Sequence, residues 1–476
     1  MSRAISVWDS KGVGKIFETH PLTGAKFAIL VVVALQVVSA LMGTDVFFIF
    51  VLIYGLLYLY FYRSADVFTK IQNYLSYPFI AAFILLNLGL LTSGGILEMD
   101  SFDLRLLLMP VFMLIVTAAA YRAIRWWRVD SRDIAMALAA GLLVGVPVLL
   151  VLRGVNFDLS LFYDETRSAG VLNYNTNLAD DVYAFSALVA LLGVSCLSRG
   201  SRAQKVFAAV LAVPLLAVFT YSFWFLIQGQ SRGAWVAIVS AVLIVVALRL
   251  VSGRPVPYSK AALALMAVVI IAKSDVILFR AGEEPISITS ALSQLFSSPV
   301  GYASAAPNDE ELFAAQNNGE LSSTEIRLLI WRDGLRLLKV HPLQGFSGRN
   351  VEAMTPYTQT PQVTFSYSHF HNLFLDVGVR FGLVVMVYYL IVFALFVVTL
   401  GCAVLSMRGR STSALNGLLY ASLAYFTYLG AENVFDVNLH QKAITSIVIA
   451  FCAIAGAALA LHENAGESAG ERAVPA

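Results

Sequence analysis

The residues best able to do chemistry in this chain are a few arginines and one histidine set between long apolar runs. Gln230-Ser231-Arg232-Gly233-Ala234-Trp235 is a short polar turn that opens an apolar segment. An arginine there adds its charge to the exposed N–H groups of a helix start, which already favour an anion. The adjacent glycine leaves room for a phosphate or diphosphate, although the same arginine can equally be one that snorkels from a helix end. Arg167 precedes Asn173-Tyr174-Asn175-Thr176-Asn177, a stretch suited to hydrogen bonding with sugar or phosphate and equally to turns and a helix cap. Ser322-Ser323-Thr324-Glu325 is a capping box for a helix running to about Val340. On its wheel Arg332, Arg336 and Lys339 cluster, while Arg327 falls about 120–180° away, beside Ile330, Trp331, Gly334 and Leu338. A cation on an apolar face needs an anion. That anion is either a ligand or one of the acids Glu283, Glu284, Asp309, Glu310 and Glu311. His371, in Ser368-His369-Phe370-His371-Asn372, begins the helical approach to an apolar segment. Imidazole is the side chain best placed to accept a proton near neutral pH, and a lone histidine can also be a hydrogen-bonded structural residue.

These side chains need elements to hold them, and composition says which kind. The 476 residues are 59% hydrophobic and 13% charged, roughly half the charge of a soluble domain. Such runs must face lipid or one another, and about 20 residues are needed for each crossing. Spans are expected near 25–43, 45–62, 75–94, 104–121, 135–152, 182–198, 205–227, 233–251, 259–274, 383–407, 413–431 and 443–461. The first two form a tight hairpin at Gly43-Thr44. The N-terminus lacks a cleavable leader pattern, so the first span is expected to stay as an anchor. With the N-terminus inside, one set of loops holds Arg63/Lys70, Arg122/Arg125/Arg128/Arg132, Arg199/Arg202/Lys205, Arg249/Arg254/Lys260 and Arg408/Arg410. The opposite short loops hold only Arg105, Arg153, Arg167, Arg232 and Lys442. The bias places both termini in the cytoplasm and puts residues 275–382 on the periplasmic side.

The expected fold is therefore all-α: a polytopic transmembrane bundle of about 12 spans with a large helical periplasmic loop. Its parts are 1–274 with nine spans, the loop 275–382 carrying the catalytic residues, 383–462 with three spans, and a disordered cytoplasmic tail 463–476. Within the loop, 275–321 reads as polar and irregular. Cys196, Cys402 and Cys452 all lie in apolar runs, so no disulfide framework is implied. No metal site is expected: His369 and His371 are two apart, with no HExxH pattern and no Asp-x-Asp pair in an outer loop. Phosphate-binding glycine patterns are absent too, so no cofactor is expected.

The ordered set Gln230 to Trp235, Arg327 before Ile330-Trp331, His341-Pro342-Leu343-x-Gly345, and His371-Asn372-Leu373-Phe374-Leu375 ahead of Gly382-Leu383 resembles the bacterial O-antigen ligase/polymerase family. The shared motifs cover roughly residues 160–400. The resemblance implies a metal-independent, inverting C-type glycosyltransferase of the inner membrane. Its donor would be a glycan on undecaprenyl diphosphate, and its acceptor a sugar hydroxyl of lipid A-core or of another lipid-linked glycan. By position Arg232 and Arg327 match the family's two essential arginines and His371 its essential histidine. Arg167 matches a more variable arginine, and the asparagine-rich stretch after it departs from the family's usual pattern. Trp331, Arg349, His369 and Asn372 join Arg167 as candidate substrate-binding residues. The chemistry fits, since planar guanidinium forks bind diphosphate oxygens bidentately and stabilise the charge that develops on the leaving group.

A polymerase of O-antigen or exopolysaccharide would keep this chemistry and change only the acceptor. A protein-O-oligosaccharyltransferase is a third variant, which no feature favours. A transporter would instead show charged or broken helices near the midplane and an internal repeat, and neither is evident. A membrane scaffold without activity is a further alternative. Membrane lipids are expected to surround the chain, and no nucleic acid is expected among its partners.

Overall fold

The computed structural model describes residues 21–42, 47–62, 101–152, 176–196, 202–228, 231–252, 260–274, 309–318, 323–346, 348, 350–367, 369–407, 413–434 and 442–471. Their regular structure is helical throughout. In chain order the first eight helices are α1 (Pro21–Met42), α2 (Phe47–Tyr62), α3 (Ser101–Trp127), α4 (Ser131–Leu152), α5 (Thr176–Cys196), α6 (Arg202–Gln228), α7 (Arg232–Ser252) and α8 (Lys260–Ala272). Next come α9 (Asp309–Asn317), α10 (Ser323–Val340), α11 (Val351–Met354) and α12 (Pro361–Phe365), the last two separated by a 3-10 turn, Thr355–Tyr357. The chain closes with α13 (Leu373–Phe381), α14 (Leu383–Ser406), α15 (Ser413–Glu432) and α16 (Lys442–Glu471).

Helices occupy the expected spans except 75–94, which lies outside the described residues. Among the described residues, five helical segments are long and apolar enough to cross a membrane: Arg105–Trp127, Ser131–Val148, Val210–Gln228, Leu383–Ser406 and Ile444–Ala465. Others are shorter or more polar. α15 shows why a strict measure of apolar length passes over it. It carries Ser422, Thr427, Tyr420, Tyr425 and Tyr428 and is buried along nearly its whole length. Its neighbours are other helices rather than lipid, so hydroxyls are tolerated.

Burial sorts the span-like helices into inner and outer. The apolar stretch of α16 is 94% buried and that of α3 is 78% buried, against 39% for those of α6 and α14. α3 and α16 pack along each other, and α1 packs on α4, α5 on α6, and α7 on α15. The inner position of α16 follows from its small side chains, Ala450, Ala453, Ala455, Ala457, Ala458 and Ala460, all buried. Small residues let helix backbones approach where lipid supplies no hydrophobic drive.

Four contacts join chain ends that the alternating loop assignment places on one side. Arg125 and Tyr121 bind Glu463 at the end expected inside. At the opposite end Arg380 binds Asp103, and the Leu373 N–H donates to the Asn433 carbonyl at 2.8 Å. The sequence reading differs from the structure in two places. The 463–476 tail is helical through Glu471 as a continuation of α16, anchored by that Arg125–Glu463 pair. Within the stretch read as irregular, Asp309–Asn317 is a helix, with Asp309, Glu310 and Glu311 in its first turn where the dipole favours them.

The segment between α8 and α14 has a hydrophobic core of its own. Ile326, Ile330, Leu337, Leu338, Met354, Val363, Phe370, Leu375 and Val379 are buried together, with Leu312, Phe313, Phe346 and Tyr367 packed at their edge. α9 to α13 are thus a folded helical subdomain that ends on α14.

Candidate active site

α10 is amphipathic, but its wheel turns slightly from the expected one. Ile330, Asp333 and Leu337 are at its fully buried centre. Arg327 and Trp331 lie at the flank, both half-buried. The buried ion on this helix is therefore Asp333 and not Arg327. Asp333 accepts from the N–H of Gln359 (3.1 Å) and Thr360 (2.8 Å) and from the hydroxyls of Thr360 (2.8 Å) and Thr364 (3.0 Å). It thereby caps α12 from across the subdomain. Arg332 Nε lies 3.9 Å from Asp333. Burial lowers the Arg332 pKa, Asp333 opposes that effect, and Arg336 adds to it. The ion pairs among the described residues join Arg125 to Glu463, Arg332 to Asp333, and Arg380 to Asp103 and Asp376. None of them engages Arg327, so the described residues include no carboxylate that neutralises it.

His371 sits just before α13 with φ +50°, a left-handed conformation that is uncommon outside glycine and costly unless the surroundings fix it. The surroundings do so through the backbone. The Trp331 indole N–H donates to the His371 carbonyl at 3.3 Å. The His371 N–H donates to His369 Nδ1 at 3.1 Å, which leaves the proton of a neutral His369 on Nε2. The Phe370 N–H donates to Asp376 Oδ1 at 3.1 Å. The His371 ring meets the rings of His369 and Tyr367 edge to face, with centroids 4.4 and 4.7 Å apart. Gln316 of α9 reaches the Tyr367 hydroxyl at 3.2 Å, so α9 also borders this site. Asn372 is the N-cap of α13, its Oδ1 accepting from the Leu375 N–H at 2.9 Å.

Asp376 also binds Arg380 Nε at 2.8 Å, and Arg380 Nη1 reaches Asp103 at 2.5 Å. Burial alone would lower the Arg380 pKa, but Asp376 and Asp103 outweigh it and hold the guanidinium charged. The triad ties α13 to the start of α3. The His341-Pro342-Leu343-Gln344-Gly345 turn packs on the same joint. Phe346 N–H and Gly348 N–H donate to the Val379 and Arg380 carbonyls at 2.9 and 3.1 Å, and the Leu383 N–H donates to Pro342 at 2.6 Å. Gly345 (φ +63°) and Gly382 (φ +88°) sit where a Cβ would run into Arg380 and Leu343 backbone, respectively. Two motifs far apart in sequence are therefore halves of one joint.

The Gln230–Trp235 turn is organised separately. Arg232 is the first residue of α7, Ser231 accepts from the Ala234 N–H at 3.4 Å, and the Trp235 indole donates to the Leu226 carbonyl at 3.4 Å. Lys273, just beyond α8, lies over the Trp224 ring of α6 at 4.4 Å. α7 packs on α15, and the residue after α15, Asn433, holds the start of α13. Arg167 and Arg349 lie outside the described residues.

Sequence reasoning missed Asp333, Asp376, Arg380 and Lys273. Asp376 and Arg380 were detectable as opposite charges four apart on an otherwise apolar helix. Asp333, next to Arg332 and Arg336, looks like a surface residue in sequence.

These features define a multi-pass helical membrane protein that carries a folded subdomain between its span-like helices. Residues 216–390 match the family model described as O-antigen ligase, and the match supports the O-antigen ligase family for this chain. At that level the match supports a membrane glycosyltransferase of the O-antigen ligase/polymerase type. The matched stretch contains Arg232, Arg327 and His371 and stops short of Arg167. No curated protein matches the chain.

Proposed function

We propose that the protein transfers a glycan from undecaprenyl diphosphate to a sugar hydroxyl of lipid A-core, on the periplasmic face of the inner membrane. The observation that carries this reading is the placement of Arg327 and His371 in one subdomain, linked through Trp331. Both belong to one subdomain inside the matched stretch, and Trp331 is one helical turn from Arg327 and hydrogen-bonded to His371. A half-buried guanidinium without a carboxylate partner among the described residues is suited to an anionic ligand. In this reading Arg327 and Arg232 hold the donor's diphosphate, with Arg167 and Arg349 as further contacts. His371 takes the proton of the acceptor hydroxyl. The acceptor oxygen attacks the anomeric carbon from the face opposite the diphosphate. The new C–O bond forms as the bond to the phosphate oxygen breaks, and the lipid diphosphate leaves with the electron pair. Arginine charge takes the place of a metal in stabilising that leaving group. One displacement inverts the anomeric centre and needs no covalent glycosyl-enzyme.

The test is transfer by purified protein with a lipid-diphosphate glycan and two acceptors, lipid A-core and a second lipid-linked repeat unit. Arg232→Ala, Arg327→Ala and His371→Ala are each expected to abolish transfer while still inserting normally. Parent-like activity in any two of them would end this mechanism. Transfer to the lipid-linked repeat alone would make the protein a polymerase. Loss of activity on chelation, restored by Mg²⁺, would refute metal independence.

A further inference from the structure

The backbone around His371 is fastened on every side by groups that the transfer chemistry does not use. The fastening side chains come from three places: Trp331 on α10, His369 in the same loop, and Asp376 on α13. The Leu373 N–H is held by the Asn433 carbonyl after α15. Asp376 is fully buried and is itself fixed by Arg380, which Asp103 of α3 holds in turn. A left-handed histidine persists only where such contacts over-determine it. If His371 relaxed to a right-handed or extended conformation, its imidazole would point in a different direction.

We infer that Asp376 and Trp331 are positioning residues for His371. Asp376 holds the N–H of Phe370, the residue before the histidine, and Trp331 holds the histidine's own carbonyl, and together they keep the imidazole aimed at the acceptor. The inference rests on His371 being the proton acceptor proposed above. It gives Trp331 a role in aligning the histidine, distinct from the substrate-binding role expected from the sequence. The buried Asp103–Arg380–Asp376 chain then links the aim of the histidine to the start of a helix 268 positions earlier in the chain (371 − 103).

Trp331→Phe deletes one N–H and keeps an aromatic of similar shape. Asp376→Asn keeps an acceptor for the Phe370 N–H and removes the charge that Arg380 grips. Each is expected to lower kcat about five- to tenfold, the worth of one hydrogen bond, with KM for the lipid-linked donor within about twofold. The acidic limb of the kcat–pH profile, which reports the general base, should move in both. Because both loosen the same residue, the double variant should fall short of the product of the single effects. Melting in detergent monitors folding. If Asp376→Asn fails to insert, Trp331→Phe and its pH profile decide alone. Parent-like kcat in Trp331→Phe would overturn the inference, as would a change confined to KM or fully multiplicative effects. His371→Ala is measured alongside. If it keeps activity, the proposed function itself fails; if it is dead while Trp331→Phe behaves as the parent, only the positioning role fails.

Discussion

Arg327 and Arg332 are five residues apart on one helix and have opposite surroundings. Arg332 stands beside Asp333 and near Arg336, whereas Arg327 flanks the subdomain core with no carboxylate partner among the described residues. If Arg327 grips diphosphate oxygens through its planar fork, Arg327→Lys should not substitute for it. A point charge replaces two parallel hydrogen bonds, so kcat/KM should fall roughly 10- to 100-fold, the worth of one or two charge-assisted hydrogen bonds. Arg332→Ala should stay within about threefold by the same measure. Measuring both in the same assay checks the assignment, and equal losses would mean that the two arginines share a role. Arg327 stood out in the sequence as a cation on the apolar face, whereas the structure sets it at the flank of that face. Asp333 did not stand out, because a carboxylate beside two arginines has a ready partner on the surface. Only tertiary contact with Thr360 and Thr364 reveals it as the buried ion.

At the scale of elements, a single carboxylate organises the strap that runs back toward the histidine. Asp333→Ala would strand the Thr360 and Thr364 hydroxyls and the Thr360 N–H in the interior, at a cost of about 3 kcal/mol. Hydrogen exchange of residues 358–366 should accelerate by about two orders of magnitude, with the α3–α16 contact unaffected. Unchanged exchange there would show that the apolar core alone holds the strap. The helices themselves were largely visible in advance, since apolar runs and a capping box mark them locally. The two stretches expected to be irregular or disordered turned out partly helical because of distant partners. Gln316 and Asp309 dock α9 against α12 and Tyr367, and Arg125 receives the end of α16. Sequence patterns within one segment carry no record of such partners.

For the whole molecule, the sidedness argument from the loop charges makes a direct claim. With Cys196, Cys402 and Cys452 replaced by serine, a cysteine at position 339 should react with an impermeant maleimide in intact cells. One at 467 should react only after permeabilisation; the reverse pattern would invert the proposed topology. The joint between the subdomain and α14 has a consequence of a different kind. Because Phe346 and Gly348 bond to α13, and Leu383 bonds to Pro342, the intervening chain is a loop closed at its base. The entropy of such a closure grows only with the logarithm of length, about 0.6 kcal/mol for each doubling. Added length within that loop therefore costs little closure entropy, while a one-residue change at the base would shift every bond of the joint.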